Sequence, residues 1–272
     1  MADRPFVAVL QFPGSNCERE TAAAASAAGL DSAVVRWNQP ERLEGADAFV
    51  LPGGFSFQDR VRAGAVAAKE SIMDTVAEAA VSGTPVMGIC NGAQILLESG
   101  LVPRWRPERV EAALGANMIH GRSGYRSAWV HVRTEPGAAE VCPWLCATGE
   151  DPFPLPIAHA EGRFLAAECD LDRAKESRGL VYCRADGSPA DGWPHNPNGS
   201  TLDMAGMVGC DGAALAMMPH PERAAWLWQL PPALAGPWGG RRRGLGGERL
   251  MEAAGPGLML FEGLSKWLGV RR

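Results

Sequence analysis

The chain has 272 residues, of which 46% are hydrophobic and 21% are charged, and its formal net charge is -5. These fractions are typical of globular proteins and exclude wholesale disorder or a collagen-like repeat. No apolar run approaches the roughly 18 residues of a membrane helix. A mildly acidic chain also has no overall field that would draw it onto nucleic acid or an anionic membrane. We therefore expect a cytoplasmic, enzyme-sized protein.

The number and spacing of the cysteines exclude further classes of protein. The chain has 7 cysteines, an odd and scattered set, and its first apolar run, Phe6–Leu10, is too short for a signal-peptide core. Reduced thiols are expected rather than a disulfide framework. Cys142 and Cys146 are the closest pair, but no nearby histidine completes a zinc pattern, so no metal is predicted. No Gly-Lys-Ser/Thr phosphate loop is present, so no cofactor is predicted in this chain.

The first half of the chain alternates predicted strands with predicted helices. The strands are short, apolar runs, at 6–10, 33–37, 48–51 and 85–89. Helical stretches lie between or after them, at 15–28, 66–81 and 91–98. Ser15 and Glu18 have the spacing of a capping box at the start of the first helix. This alternation indicates an α/β fold with a doubly wound, mostly parallel sheet flanked by helices.

The second half is richer in strand signals, broken by clusters of Gly, Pro and Asn. They lie at 127–133, 156–160, 179–184, 206–210 and 213–218. We therefore expect an added antiparallel β portion within a single domain over 1–272.

Two segments are predicted to be insertions or loops, near 136–152 and 231–257, and a final helix is predicted at 258–268. Gly and Pro are frequent in the second segment, which favours a mobile loop. That segment also contains three consecutive arginines, 241–243. They could contact a partner, but a solvated loop is the simpler interpretation.

Cys90 carries the sharpest local signal. It follows a predicted strand directly, precedes a predicted helix, and has Gly88 and Gly92 two residues away on either side. This is the pattern of a nucleophile elbow with cysteine in place of serine, and its tight turn leaves room only for glycine at those positions. The helix N-terminus favours a thiolate. An inert buried cysteine is the alternative, but the strand–turn–helix context favours the nucleophile.

His220 and Glu222 are the predicted partners of the nucleophile. They follow an apolar strand in a Pro-His-Pro-Glu sequence, where the prolines hold the backbone extended. Residues two apart in an extended chain project to the same side, so Glu222 can reach the His220 imidazole. A carboxylate on one ring nitrogen sets the tautomer that lets the other accept a proton. His-x-Glu is weak alone and gains weight from the cysteine elbow.

Gly53 and Gly54 follow the strand predicted at 48–51. Consecutive glycines at a strand end can turn backbone N–H groups toward a developing oxyanion, and the N–H of Asn91 would be the second donor. An ordinary tight turn is the alternative. With a cysteine nucleophile predicted at a neighbouring strand end, the oxyanion hole is the better interpretation.

Together these patterns resemble the class I, or triad, glutamine amidotransferases. They further resemble the glutaminase subunits of phosphoribosylformylglycinamidine synthase in their small, separate-chain form. The matching motifs run in the family's order, and they are Phe12-Pro-Gly-Ser-Asn-Cys17, Pro52-Gly-Gly-Phe-Ser56 with Asp59 and Arg62-Ala-Gly64, Gly88-Ile-Cys-Asn-Gly-Ala-Gln94, Trp129-Val-His131, Ile157-Ala-His-Ala-Glu-Gly-Arg-Phe164, Asn196-Pro-Asn-Gly-Ser200 and Met217-Met-Pro-His-Pro-Glu-Arg223.

The resemblance implies a flavodoxin-like fold and assigns the catalytic roles. It implies that Cys90 is the nucleophile, His220 the general base and acid, and Glu222 its orienting partner. It also implies glutamine as substrate, with ammonia passed to a synthase subunit that uses ATP and Mg²⁺. A small third subunit is implied in the same complex. ATP and Mg²⁺ are expected in the partner and not in this chain.

The resemblance also implies binding roles, and it has departures. Gly53 and Gly54 match the oxyanion loop and Gln94 a glutamine-contacting position, whereas His159 and Glu161 match a family stretch without a catalytic role. The departures are the insertions and two residues beside Asp59, namely Gln58 and Arg60. They put the details of the glutamine pocket and of partner docking in question and leave the triad intact.

Three other interpretations remain open. The first is an amidotransferase of guanine, cytidine or anthranilate synthesis, against which the 157–164 and 196–200 motifs argue. The second is a free-standing cysteine hydrolase such as a γ-glutamyl peptidase, which would work without a partner. The third is a non-enzymatic assembly subunit, against which the intact triad argues.

Overall fold

The apolar runs of the first half form the centre of a mixed sheet. The structure is a computed structural model that describes residues 4–107 and 109–270. Its strands are β1 (Phe6–Gln11), β2 (Asp31–Arg36), β3 (Ala48–Leu51), β4 (Val86–Ile89), β5 (Ala112–Ala116), β6 (Arg126–Thr134), β7 (Phe153–His159), β8 (Glu161–Ala166), β9 (Arg178–Cys183), β10 (Met204–Gly209) and β11 (Ala214–Met217). Its α-helices are α1 (Glu18–Ala27), α2 (Ile72–Val81), α3 (Asn91–Glu98), α4 (Pro136–Val141), α5 (Leu171–Glu176), α6 (Gly236–Arg243), α7 (Gly247–Glu252) and α8 (Leu258–Trp267).

Nine strands form one sheet in the order β2-β1-β3-β4-β11-β10-β9-β6-β7. The half from β2 to β11 is parallel, and the half from β11 to β7 is antiparallel. The predicted fold class, a doubly wound sheet flanked by helices with an added antiparallel portion, is confirmed, and the antiparallel portion accounts for half of the strand pairings. β5 and β8 form a separate two-stranded antiparallel sheet, which the sequence patterns did not indicate.

The strand that carries the predicted nucleophile lies at the centre of the core. Val86, Met87 and Ile89 are fully buried between β3 and β11. Strands covered on both faces are apolar throughout, as this one is. Burial of each such side chain contributes about 2 kcal/mol, so the end of β4 is a rigid base for the residue that follows it. No helix in the described ranges is both long and apolar enough to cross a membrane.

The start of α1 differs from the prediction. The Ser15 hydroxyl accepts the N–H of Phe12, and the Glu18 carboxylate accepts the side-chain amide of Gln11. The capping box is therefore wrong, because both side chains bond backward to the end of β1. Cys17 is the N-cap residue instead, with φ 69°. The helix predicted at 66–81 is also divided, because Glu70 is extended between a short 3-10 turn and α2.

The two predicted insertions are ordered parts of the fold. In the first, α4 leads into Trp144, which is fully buried and packs edge-on against Phe261. The second contains α6 and α7, so the prediction of a mobile loop is wrong. A single domain over 1–272 stays a prediction, since residues 1–3, 108 and 271–272 lie outside the described ranges.

The arginine triplet explains why the second segment is ordered. Arg242 donates to the Leu230 carbonyl at 2.6 Å, and Arg243 donates to the carbonyls of Pro232 and Leu234. Arg241 stacks over the Trp238 ring. Arg242 and Arg243 thus satisfy backbone carbonyls of the segment that precedes α6. The triplet lies in a helix and not in the predicted loop, although Arg241 and Arg243 are exposed as that interpretation expected.

Candidate active site

Cys90 lies in the tight turn between β4 and α3. Its backbone has φ 53° and ψ -105°, a region that costs a non-glycine residue on the order of 1–3 kcal/mol. A Cβ on Gly92 would lie 1.9 Å from the Leu51 carbonyl oxygen, and one on Gly88 would lie 2.5 Å from the Gly92 oxygen. The predicted need for both glycines is confirmed. The turn holds the Cys90 sulfur at the N-terminus of α3, 3.7 Å from the Ala158 carbonyl.

His220 and Glu222 follow β11 and meet Cys90 at the carboxyl end of the parallel strands. The His220 Nδ1 and Glu222 Oε1 atoms are 2.6 Å apart, and the backbone N–H of His220 is fixed to the Pro156 carbonyl at 2.8 Å. His220 Nε2 is buried and has no hydrogen-bond partner among the described residues. The dyad thus presents one ring nitrogen that is free to exchange a proton with a thiol.

The electrostatics of the dyad favour a protonated imidazole. Burial of the His220 ring opposes its protonation, but the Glu222 carboxylate and the Cys90 side chain outweigh that effect. The pKa of His220 is therefore raised well above its ordinary value. An imidazolium beside Cys90 favours the thiolate, which is the nucleophilic form.

A pH dependence follows from this raised pKa. The alkaline limb of kcat/KM for the thiol reaction is expected to have its midpoint well above about 6.5, the pKa of a free imidazole. The imidazolium is present below that midpoint and is lost as the pH rises through it, so the midpoint belongs to the coupled set and not to one residue. Steady-state rates between pH 5 and 10 check this. An alkaline midpoint near 6.5 would contradict it.

Gly53 separates the nucleophile from the base. A Cβ at Gly53 would lie 2.7 Å from His220 Cε1 and 3.5 Å from Cys90 Cβ, so only glycine leaves room for both side chains. Gly54 has φ 143°, in the region that favours glycine. Gly54 forms an isolated β-bridge with Ser15. The hydrogen bonds of this bridge run from the Asn16 N–H to the Gly53 carbonyl and from the Phe55 N–H to the Gly14 carbonyl. The Gly54 N–H has no partner in this bridge, as an oxyanion donor requires.

Asn91 and Gln94 organise the floor beside the nucleophile. Asn91 accepts the N–H of Ser56 and donates to the Gln94 side-chain oxygen at 2.8 Å. Gln94 in turn donates to the Glu161 carbonyl at 2.7 Å. Both polar ends of the Gln94 side chain are thus bonded within the protein. Its contact with glutamine stays a prediction, and its observed role is to tie α3 to the first residue of β8.

Two carboxylates converge near the same floor. Asn91 donates to Asp59 Oδ1 at 3.3 Å. Burial and then the nearby Glu161 raise the pKa of Asp59, and the Asn91 hydrogen bond opposes them. Gln58 and Arg60, the departures from the family pattern, are exposed and hydrogen-bonded to each other. Neither bonds to Asp59, whose hydrogen bond is with Asn91.

Two family motifs of the second half, at 157–164 and 196–200, contact each other beside the active site. His159 is buried and contacts Asn117, and burial followed by the neighbouring His220 lowers its pKa to about 3. Its ring is therefore neutral beside the protonated one. Asn198 donates to the Gly162 carbonyl, and the Ser200 hydroxyl accepts the N–H of Phe164. These contacts hold β8 in place, and none makes His159 a proton carrier.

Cys17 and Arg223 are functional-site neighbours that sequence reasoning did not single out. Arg223 donates to the Cys17 sulfur from Nη2 at 2.8 Å and from Nε at 3.2 Å. The ligand-type atoms of Cys17, His220 and Glu222 lie within 4.8 Å of one another. A cation there would adjoin the Arg223 guanidinium, so we do not assign these residues as metal ligands. The family motifs at 12–17 and 217–223 contained both residues, but neither motif indicates their contact.

Cys90, His220 and Glu222 together have the arrangement of a thiol triad, and comparison with known proteins identifies the family. The family model described as the CobB/CobQ-like glutamine amidotransferase domain matches residues 4–268, so the chain belongs to that family. Subunit PurQ of phosphoribosylformylglycinamidine synthase from Methanothrix thermoacetophila is 40% identical over 278 residues, covering 98% of this chain and 99% of the relative. The chain is thus also a member of the PurQ family, and the resemblance seen in the motifs is confirmed.

Further similarities agree with this assignment. PurQ from Methanopyrus kandleri is 35% identical over 262 residues, covering 96% of this chain and 97% of the relative. A chain in the structure of PurLQS from Thermotoga maritima aligns with a TM-score of 0.71 at 28% identity, covering 97% of this chain and 99% of that one. Both similarities extend over nearly all of this chain, so the assignment rests on the whole fold and not on the site alone.

Proposed function

We propose that the chain is the glutaminase subunit of phosphoribosylformylglycinamidine synthase. It hydrolyses glutamine and supplies the ammonia for ATP-dependent conversion of formylglycinamide ribonucleotide to formylglycinamidine ribonucleotide in purine biosynthesis. The observation that carries the proposal is the convergence of Cys90 with the 2.6 Å His220–Glu222 pair in a chain of the PurQ family.

In the first step the Cys90 thiolate attacks the side-chain amide carbon of glutamine. A carbon–sulfur bond forms, and the carbonyl oxygen becomes an oxyanion. The oxyanion accepts hydrogen bonds from the backbone N–H groups of Gly54 and Asn91. His220, as the imidazolium, gives its Nε2 proton to the amide nitrogen, and the carbon–nitrogen bond breaks to release ammonia. The product on the enzyme is a γ-glutamyl thioester.

In the second step water hydrolyses the thioester. The neutral His220 takes a proton from the water, the hydroxide attacks the thioester carbon, and glutamate leaves as the sulfur departs as thiolate. Glu222 keeps the imidazole in one tautomer and opposes the positive charge that returns to it. The cycle thus begins and ends with the same protonation state.

Glutamine also carries an α-ammonium group that the site must recognise. Asp59 and Glu161 are both partly exposed carboxylates. Glu161 lies close enough to Asp59 to raise the pKa of Asp59. Asn91, the residue after the nucleophile, donates a side-chain hydrogen bond to Asp59. Two carboxylates are the complement of an ammonium ion. We therefore assign the α-ammonium to this pair.

Asp59→Asn is expected to raise KM for glutamine roughly 10- to 100-fold with a smaller change in kcat, since a charge-assisted contact to the ammonium is lost. Asp172→Asn, on the exposed face of α5, is the control. Steady-state kinetics measure KM and kcat for glutamine, and alkylation of Cys90 measures the reactivity of the nucleophile separately. An unchanged KM would remove Asp59 from substrate binding.

A partner is needed because the site is closed and its product must be kept from solvent. Cys90 is 6% exposed and His220 is 1% exposed, so docking is expected to open the path to the sulfur. The side chains of Phe55, which directly follows the oxyanion loop, and of Val61 are apolar and exposed, and they suit a protein interface. We assign this face to the synthase subunit, which would hold ATP and Mg²⁺, with a small third subunit in the same assembly.

The compartment follows from thiol chemistry. All seven cysteines are free thiols, and free thiols persist in a reducing environment. We therefore place the complex in the cytoplasm. Neither a membrane nor a nucleic acid is required by the reaction.

Glutamate release from glutamine tests the proposal, measured for the chain alone and with the synthase subunit, the third subunit, ATP and formylglycinamide ribonucleotide. Weak release alone and strong release in the full mixture is the expected result. Equal release in both would indicate a free-standing hydrolase. Absence of release in both would favour an assembly subunit without catalysis.

A further inference from the structure

The loop that carries Cys17 is joined to the oxyanion loop. The Asn16 N–H donates to the Gly53 carbonyl at 2.7 Å, and the Phe55 N–H donates to the Gly14 carbonyl at 2.9 Å. Cys17 itself is buried, occupies the N-cap position of α1 without a side-chain capping bond, and has a left-handed backbone with φ 69°. Its sulfur therefore has a fixed position relative to the oxyanion loop.

The Cys17 sulfur is the acceptor for a forked guanidinium. Arg223 donates to it from both Nη2 and Nε, and the Arg223 Nε atom is also 3.7 Å from Glu222 Oε1. The guanidinium is planar, so two donors on one acceptor fix its plane as well as its position. The Arg223 side chain is 37% exposed, and without this acceptor it has solvent available to it.

We propose that Cys17 and Arg223 are positioning residues of the triad, in which Cys17 holds the Arg223 charge against Glu222 and thereby sets the pH range in which Cys90 and His220 exchange a proton. The inference rests on the proposed function only in taking Cys90 as the nucleophile. It adds to the triad a second pair of side chains, one from the residue before α1 and one from the turn after β11.

The sign of the effect follows from charge alone. A positive charge near a set of coupled groups makes every proton in the set easier to remove. The titratable and charged groups that act on or adjoin His220 are Glu222 and Arg223 of its own turn, Cys90 before α3, Cys17 before α1 and His159 at the end of β7. Loss of the Arg223 charge therefore moves the proton exchange of the set to higher pH.

Alkylation of Cys90 in the full chain, alone and in complex with the synthase subunit, tests the proposal. Iodoacetamide is applied from pH 4 to 10, and the Cys90 peptide is followed by mass spectrometry. Arg223→Gln is expected to move the midpoint upward by on the order of 0.5–1 pH unit, whereas Arg223→Lys, which keeps the charge, moves it less. In the Cys17→Ala background the Arg223→Gln shift is expected to fall below half, since the guanidinium is no longer held in place.

Controls make each outcome decisive. Cys142→Ala removes another buried thiol and should leave the midpoint unchanged, and Cys17→Gly, which suits a positive φ, replaces Cys17→Ala if that variant does not fold. No shift in Arg223→Gln, or an equal shift in both Cys17 backgrounds, would overturn the proposal. Alkylation needs no glutamine, so a chain that fails to release glutamate would sink the proposed function and leave this test in force.

Discussion

Cys90→Ser is expected to lower glutamine-dependent synthesis by the assembled complex by about 10⁴-fold or more, while synthesis from added ammonium salt is retained. A serine hydroxyl beside His220 is a far weaker nucleophile than a thiolate, and a triad without its nucleophile keeps only the binding and oxyanion contributions. The substitution is nearly isosteric, so the strained turn that holds residue 90 should survive. Product formation is measured with each nitrogen source in turn.

The matched control for this prediction is Cys169→Ser, which changes an exposed thiol and should affect neither nitrogen source. Loss of both activities in Cys90→Ser would mean that Cys90 is a structural cysteine on which the assembly depends. Retention of both would place the nucleophile elsewhere.

Glu222→Gln is expected to lower kcat for glutamine hydrolysis by roughly 10³- to 10⁴-fold with little change in KM. The buried Glu222 carboxylate accepts the Nδ1–H of His220 at 2.6 Å. An amide at this position can donate to Nδ1 instead, which moves the ring proton to Nε2 and removes the base that faces the thiol. The substitution also removes the charge that raises the pKa of His220.

Glu140→Gln, at an exposed position of α4, is the control for loss of a carboxylate. Stopped-flow or steady-state assays at saturating glutamine give kcat, and thermal melts confirm that the variant is folded. A folded Glu222→Gln chain with a kcat within tenfold of the parent would show that the carboxylate does not orient the base.

The elements that the sequence predicted best are those whose signals are local. Gly88, Cys90 and Gly92 lie within five residues of one another, and the steric need for glycine in the elbow is a property of that turn. The His220–Glu222 contact needs only an extended Pro-flanked segment. Both were therefore predictable before any tertiary contact was known.

The contacts that were missed join distant parts of the chain. The Arg223–Cys17 hydrogen bonds span 206 positions, and the link from Gln94 to the Glu161 carbonyl spans 67. The residue types of Arg223 and Cys17 do not predict their contact, because an arginine is usually solvated and a free cysteine is usually inert. No periodicity or spacing rule reaches across that separation.

Competing local contacts explain the errors. Ser15 and Glu18 had the correct spacing for a capping box, but the end of β1 offered them other partners, so Cys17 became the cap. The composition of 231–257 indicated a loop, but arginine side chains bonded to the preceding carbonyls allow α6 to form. β5 escaped notice because Ala112–Ala116 has no β-branched residue, and it is a strand only through its pairing with β8.

Glutamine hydrolysis is expected to pass through a thioester on Cys90. The most direct test is acid quenching of the assembled complex during turnover with glutamine, followed by mass spectrometry of the peptide that contains Cys90. We predict a γ-glutamyl adduct on that peptide, absent without glutamine and absent in Cys90→Ser. Glutamate release at the normal rate in Cys90→Ser, with no adduct on the Cys90 peptide of the parent chain, would contradict the claim.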